Sequence, residues 1–259
     1  MSAPTCGKNT WSPALGIEAK MDISIVIPAF NESGKVGRDV AAASAFLSGN
    51  GFGGEVIVVD DGSTDSTSTE AEAAAVPVPL RKVVVRLDPH AGKGAAVGRG
   101  VAESHGEVVL YADSGTCVPF ANALPVIKKI AAGELDIGLA SRRLKGTVIR
   151  QDRPLRRRVI SRLFHLAAVV VAGLPRRITD SQCGFKVFEG RAARELFRSL
   201  STPGFLFELE IILKALRRGY RLEEFPVEWT CDLDTRLRPA SQAANVLKEL
   251  LKVRSLAKK

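Results

Sequence analysis

The chain predicts an α/β fold in which a mostly parallel central sheet is flanked by helices. Two runs carry most of that prediction: Ile23-Ser-Ile-Val-Ile-Pro-Ala-Phe-Asn-Glu32 and Glu55-Val-Ile-Val-Val-Asp-Asp-Gly-Ser-Thr-Asp65. Each is a continuous β-rich apolar run that breaks into polar residues at its C-terminal end, the pattern of strands buried on both faces. A helix-length stretch separates them, so together they have the size of one βαβ unit. The third observation is that strand and helix patterns keep alternating as far as Ser141, as in doubly wound sheets. Ligands of such sheets bind beyond the carboxyl ends of the strands. That places Asn31, Glu32, Asp60 and Asp61 at a polar, acidic site.

In order along the chain, residues 22–29 read as strand, 33–48 as helix and 55–60 as strand. The Ala/Glu/Ser-rich residues 64–75 read as helix, with Ser63 or Thr64 as N-cap, and 82–87 as strand. His90 to Gly100 is glycine-rich and leads into a helix running to about Ser104. Glu107 to Tyr111 reads as a strand ending at Asp113, Pro119 to Gly133 as helix, and Asp136 to Ala140 as strand. Beyond Ser141 come a basic loop, an apolar helix over 159–173, and the run Asp180-Ser-Gln-Cys-Gly-Phe-Lys-Val-Phe188. A helix over 206–218, a strand around 222–227 and a basic helix over 240–256 complete the reading. With no repeat or low-complexity linker, residues 22–259 read as one domain behind a disordered tail, 1–21.

The 259-residue chain carries a net charge of +9, which points to an anionic partner: nucleic acid, anionic lipid or a phosphorylated small molecule. Eight Lys/Arg against the single acid Asp152 between Arg142 and Arg158 supply +7 of it. Nucleic acid is disfavoured, because aromatic interleaving and any DNA-binding motif are absent. Cys6, Cys117, Cys183 and Cys231 form no CxxC or metal spacing and fit a reduced, cytosolic setting. Residues 1–20 show no apolar signal region, and no run reaches the roughly 18 apolar residues of a spanning helix.

Several groups are candidates for chemistry. Ionised Asp60 or Asp61 can accept from a base edge or ribose; equally, Asp61-Gly-Ser-Thr-Asp65 can be a turn that caps the next helix. Gly92-Lys-Gly-Ala-Ala-Val-Gly-Arg-Gly100 lacks the order of a P-loop or dinucleotide fingerprint. Lys93 at a glycine-eased helix N-terminus suits a phosphate, and close helix packing explains the glycines as well. Asp113 can be a metal ligand or a helix cap. The basic segment runs into the apolar helix 159–173, a pattern that fits an interfacial anchor on anionic lipid or a core helix. His165 reads as a packed core histidine and Cys183 as a small buried cysteine, while Asp180 is the better functional candidate. Glu208 and Glu210, two apart on a helix, do not share a face.

Five motifs in this order resemble family 2 glycosyltransferases of GT-A fold, and among them the dolichyl/polyprenyl-phosphate sugar synthases. They are Val26-Ile-Pro-Ala-Phe-Asn-Glu32, Val58-Val-Asp-Asp-Gly-Ser-Thr-Asp65, the Lys93-Gly-x-Ala region, Asp180-Ser-Gln-Cys-Gly-Phe-Lys186 and Glu224-Phe-Pro-Val-Glu-Trp229. The Gln-Cys-Gly-Phe-Lys stretch resembles dolichyl-phosphate glucosyltransferases more than mannose synthases. The resemblance implies a nucleotide-sugar donor seated by Pro28, Ala29, Asn31, Glu32 and one of Asp60/Asp61, with Lys93 nearby and Arg236 at the donor diphosphate. It implies that Ser141, Arg142, Arg156 and Arg157 meet an acceptor phosphate, and that residues 142–175 face acceptor and membrane. Asp113 matches the first acid of the family's DxD motif, and with Asp180 it is the candidate catalytic carboxylate. The motif implies Mg²⁺ or Mn²⁺, but Gly115 stands where its second acid belongs, so weak or absent metal dependence is expected. The expected activity is transfer of a hexose, glucose from UDP-glucose, to a polyprenyl phosphate by a cytoplasmic protein peripheral to an anionic membrane. Two alternatives remain at this point: a soluble transferase with a small or protein acceptor, and a degenerate nucleotide-sugar-binding protein.

Overall fold

Seven strands build the central sheet of the computed structural model, which describes residues 21–151, 155–231 and 243–256. They are β1 (Asp22–Ala29), β2 (Gly53–Asp60), β3 (Arg81–Arg86), β4 (Val108–Ala112), β5 (Ile137–Ser141), β7 (Phe185–Glu189) and β8 (Leu222–Pro226). A separate pair, β6 (Val148–Gln151) and β9 (Glu228–Thr230), lies beside the sheet. The helices are α1 (Val36–Gly49), α2 (Thr67–Ala73), α3 (Lys93–Ala102), α4 (Leu124–Ala131), α5 (Leu155–Ala167), α6 (Gly190–Arg198), α7 (Phe207–Arg217) and α8 (Ala243–Leu256). A 3₁₀ turn, Phe120–Ala123, precedes α4, and a π-helical turn, Ala168–Ala172, extends α5.

The strand order is β3-β2-β1-β4-β7-β5-β8. Every strand runs parallel to the others except β7, which is antiparallel to both β4 and β5. The period-2 alternation of a strand divides each one between two cores. Ile23, Ile25 and Ile27 of β1 join Val36, Val40 and Leu47 of α1 and Ile127 of α4 on one face. Val26 of β1 joins Val97 and Val101 of α3 and Leu209 and Ile212 of α7 on the other. Each such side chain, fully buried, contributes about 1.5–3 kcal/mol, which explains why these strands carry no polar stripe. The glycine-rich start of α3 is accounted for by packing: a β-carbon on Gly100 would overlap Cγ1 of Val26.

The structure corrects four details of the sequence reading. The basic loop after Ser141 contains β6, exposed at all four positions and held by parallel pairing with β9. Residues 185–189 form β7, and the charged run 190–198 forms α6, which buries Ala192, Ala193, Leu196 and Phe197 and is capped by Glu189 accepting from the amide of Ala192 at 2.7 Å. Neither Ser63 nor Thr64 caps α2, which starts at Thr67, where Asp65 Oδ1 accepts from the Thr67 amide at 3.0 Å. The apolar helix starts earlier than 159 and divides in two: no residue of α5 is fully buried, although Phe164 and Ala167 pack against the core, whereas Ala168 and Ala172 of the π-helical turn are buried in it. The proposed tail, residues 1–20, lies outside the described residues.

Candidate functional site

The carboxyl ends of β1, β2, β4 and β5 meet at one edge of the sheet. Because β7 runs the other way, its N-terminal approach, Asp180 to Gly184, enters at this same edge: the amide of Asp113 donates to the Gly184 carbonyl at 2.8 Å. One antiparallel strand thus brings the last of the four sequence motifs that precede β8 to the first three.

On the β1–β2 side the loops lock onto each other. The Asn31 amide donates to Ser63 Oγ at 2.8 Å, and Asn31 Oδ1 accepts from the Thr64 amide at 2.7 Å. Asn31 itself has a φ of 51°, a left-handed conformation that Asn tolerates better than most residues. The Glu32 amide donates to Thr67 Oγ1 at 2.7 Å, and the Glu32 carboxylate lies 3.5 Å from Lys35 Nζ. Pro28 and Ala29 are buried at the end of β1, where the Ala29 carbonyl accepts from the Asp61 amide at 2.8 Å.

Asp60 and Asp61 are both buried, and each has internal partners. Asp60 accepts from the Ser63 amide at 2.9 Å and from Arg86 at 3.1 Å. Asp61 accepts from the amides of Ala91 and Gly92 at 2.8 and 2.9 Å and lies 2.9 Å from His90 Nδ1. Asp61 therefore fixes the loop that delivers Lys93 to the first position of α3.

Lys93 meets Asp113 just past β4. Its Nζ lies 2.8 Å from Oδ1 and 3.0 Å from Oδ2 of that carboxylate, between the rings of Tyr111 and Phe207 at 5.7 and 5.8 Å. Burial opposes the charge on Lys93, but Asp113 and then Glu208 outweigh it, and the pKa is raised. Beneath this pair Lys186 is buried, 2.9 Å from Glu208 and 2.7 Å from the Cys183 carbonyl. The Tyr111 hydroxyl also donates to Glu208. Burial pushes the Glu208 carboxyl up and the Lys186 ammonium down, each to about 7. Glu210 faces elsewhere, toward Lys214 and the Ser201 amide, as its spacing from Glu208 predicts.

The loop after Asp113 is held from below by Asp39 of α1. Ser114 Oγ and Thr116 Oγ1 donate to it at 2.6 Å each, and the Gly115 amide at 2.9 Å. Among the described residues no group of three His, Cys, Asp or Glu is placed to hold a metal ion.

On the β5 side, Arg142 and Asp180 form a buried, bidentate ion pair, Nε to Oδ2 at 2.7 Å and Nη2 to Oδ1 at 2.8 Å. Burial alone would raise the Asp180 carboxyl; Arg142 more than reverses that and brings it to about 2. Glu224 of β8 accepts from the amides of Thr179 and Asp180 at 2.8 Å each and so fixes the Asp180 loop. The Trp229 ring lies 5.6 Å from the Arg142 guanidinium carbon. Ser141 is buried and its Oγ lies 2.9 Å from Thr179 Oγ1. Arg156 and Arg157 sit on the first turn of α5, exposed and half-exposed, outside this network. Burial, only partly opposed by Arg142, pushes the Cys183 thiol up to about 11, so it is not a ready nucleophile. Arg236 lies outside the described residues.

Sequence reasoning did not pick out Asp39, Lys186, Glu208 or Glu224 as site residues. For Glu208 a signal existed: an acid inside the apolar run Phe205-Leu-Phe-Glu-Leu209 is costly unless paired.

The model of "Glycosyl transferase family 2" matches residues 24–197. Among curated proteins, "Dolichyl-phosphate beta-glucosyltransferase" of Drosophila melanogaster is 32% identical over 244 residues, 90% of this chain and 74% of that protein. The Saccharomyces cerevisiae protein of the same description is 29% identical over 248 residues, again 90% of this chain and 74% of its own length. "Glycosyltransferase AglD" of Haloferax volcanii is 30% identical over 230 residues, and there the chain spans only 36% of the relative. Among solved structures, glucosyl-3-phosphoglycerate synthase from Mycobacterium tuberculosis with UDP superposes with a TM-score of 0.65 at 22% identity, covering 92% of this chain and 80% of that one. The same enzyme is also known with Mn²⁺ and UDP-glucose.

Proposed function

The chain belongs to glycosyl transferase family 2, and on that premise we propose that it moves glucose from UDP-glucose to a polyprenyl phosphate, with inversion at the anomeric carbon. One observation carries the reading: two differently built sites share one sheet edge. The first, Asn31, Asp60, Asp61, Lys93 and Asp113, offers acceptors for a nucleoside and a cation for its diphosphate. The second is Arg142, set in place by Asp180 and Glu224. Similarity to dolichyl-phosphate glucosyltransferases over about nine-tenths of the chain supports the acceptor class.

The acceptor phosphate is anionic at neutral pH, so no general base is needed. Its oxygen forms the new bond to C1 of glucose. The bond from C1 to the nucleotide β-phosphate breaks, and its electron pair goes to the leaving diphosphate. Arg142 binds the acceptor phosphate through its remaining N–H donors, a planar match for phosphate oxygens. Asp180 is the positioning residue that fixes the guanidinium plane.

The lipid tail of the acceptor gives the exposed surface of α5 a purpose. Leu155, Val159, Leu163, Leu166 and Val170 recur at spacings of three and four, so they share one face, and all are exposed. Leu247 and Leu251 of α8 are exposed as well, and Arg254 of α8 donates to the Val171 carbonyl at 3.2 Å. With Arg156, Arg157 and Arg158 alongside, this face suits the anionic cytoplasmic surface of a membrane. No helix among the described residues is long and apolar enough to cross one.

Incubation with radiolabelled UDP-glucose and a polyprenyl phosphate tests the reaction. Label in an organic-extractable lipid is the expected result; no transfer from any nucleotide sugar to several prenyl phosphates would sink the reading.

A further inference from the structure

We propose that the Lys93 ammonium, rather than a divalent cation, supplies the positive charge for the donor diphosphate at the end of β4, an inference that rests on the donor reading above. Three observations carry it. First, both oxygens of Asp113, the only acid remaining of the DxD pattern, lie within 3.0 Å of Lys93 Nζ. A resident cation already occupies the ligating side of that carboxylate.

Second, the missing acid is built into the backbone. Gly115 has a φ of 94°, in the region that disfavours any residue with a β-carbon. Asp39 holds the loop in that shape through the Gly115 amide and the hydroxyls of Ser114 and Thr116. A second carboxylate at this position would therefore strain the loop that presents it, and the oxygens of Asp39 are already taken.

Third, Lys93 is fixed where an anion would be welcome. It opens the ten-residue helix α3, whose N-terminus adds roughly half a positive charge. Tyr111, Phe207 and Glu208, the last at 3.9 Å, confine the ammonium, while its side chain as a whole keeps 19% exposure. An ammonium has three donors, so Lys93 can keep Asp113 and still donate to a phosphate oxygen. As the C1–O bond breaks, the electron pair settles on the β-phosphate, next to that donor. No proton has to move.

Calorimetry of UDP binding, with the full chain first stripped by EDTA and then supplied with Mn²⁺, tests this directly. The wild-type affinity is expected to change by less than about threefold on adding Mn²⁺, whereas Lys93→Met, checked for folding by circular dichroism, loses about tenfold or more without metal. A larger gain with Mn²⁺, or a folded Lys93→Met that binds UDP as tightly as wild type, overturns the inference and leaves the proposed reaction standing. Should Lys93→Met fail to fold, the wild-type comparison decides alone. If neither UDP nor GDP binds in either condition, the donor reading falls and takes this inference with it.

Discussion

On the β1–β4 side of the sheet edge, Asp39, Asp60 and Asp61 each take backbone amides or hydroxyls, alone or beside a cation such as Arg86; on the β5–β8 side the central carboxylate is answered by a guanidinium. Asp39, Asp60 and Asp61 take six amide or hydroxyl donors from loops that the chain supplies anyway. Asp180 depends on one side chain, Arg142, for its strongest bonds. The two sides also differ at the surface. Val78 is the single large apolar residue exposed among the described residues before Val148, whereas Val148, Ile149, Leu155, Val159, Leu163, Leu166, Val170, Phe205, Leu247 and Leu251 are exposed after it. The β1–β4 side is closed in on itself. The β5–β8 side holds a charge through a pair that can be broken by one substitution, next to apolar surface turned to solvent.

The largest break in that contrast is expected at Asp180. Removing one partner of a buried ion pair costs about 3–5 kcal/mol, so Asp180→Ala should lower both stability and turnover, the latter by about 10²–10³ if Arg142 is misplaced. Denaturant titration and a turnover assay separate the two effects, and the Arg142→Ala/Asp180→Ala double variant should regain part of the stability. The sign with pH follows from the depressed carboxyl. Its contribution is present above about 3.8 and is lost as pH falls through about 2. The stability gap between wild type and Asp180→Asn should therefore shrink by roughly 2 kcal/mol over that acid window. A gap that stays constant would mean the pair is not what holds the carboxyl charged.

Next in size is the apolar face. Burial of one leucine is worth about 1.5–3 kcal/mol, so Leu163→Glu should weaken partition onto anionic vesicles about tenfold or more. Its melting temperature should not move, because Leu163 is 60% exposed in the free protein. Flotation unchanged in the variant would show that this face does not meet lipid. On the donor side, Asp61→Ala leaves the amides of Ala91 and Gly92 without their acceptor, at a cost of about 1–3 kcal/mol. Calorimetry with UDP should show weakened binding in a folded protein, since the loop that delivers Lys93 is loosened.

The contrast also explains what could be read from sequence. Strands buried on both faces leave a continuous β-rich run, so β1, β2, β4 and β5 are each legible within a few residues of their bounds, and the half-buried edge strand β3 is legible from its Val-Val-Val run. The loop residues Asn31, Asp60, Asp61 and Asp113 follow at once, because the end of a strand is visible where the apolar run stops. By contrast, β6 is four exposed residues whose only reason to be extended is β9, some 80 positions later. In α6 the charged residues of Gly-Arg-Ala-Ala-Arg-Glu-Leu-Phe-Arg conceal its short apolar face. Asp39 belongs to a helix whose pattern marks it only as helical, and the apolar run around Glu208 says that it needs a partner without saying which. Their partners, Ser114 to Thr116 and Lys186, are joined to them by the fold and by nothing in the local sequence. Pairing across long separations is a tertiary property, and only residues at strand ends announce it in advance.

Arg143 gives the smallest and most discriminating test of how the two features of the acceptor side are joined. Its neighbour Arg142 turns inward to Asp180, while Arg143 donates from Nη2 to the carbonyl and hydroxyl of Ser161 on α5, at 3.0 and 3.1 Å. That is a direct tie between the end of β5 and a helix with no buried residue of its own. Arg143 is half-exposed, so Arg143→Ala should cost only about 0.5–1.5 kcal/mol of stability. If α5 merely covers the site, turnover on a short, water-soluble prenyl phosphate and on a long-chain one should fall by the same factor. If α5 holds the lipid end in register with Arg142, only the long-chain substrate should suffer, through KM rather than kcat. The second outcome is expected, because the bond to Ser161 fixes the apolar face relative to the Arg142 guanidinium one residue away, the group proposed to bind the acceptor phosphate.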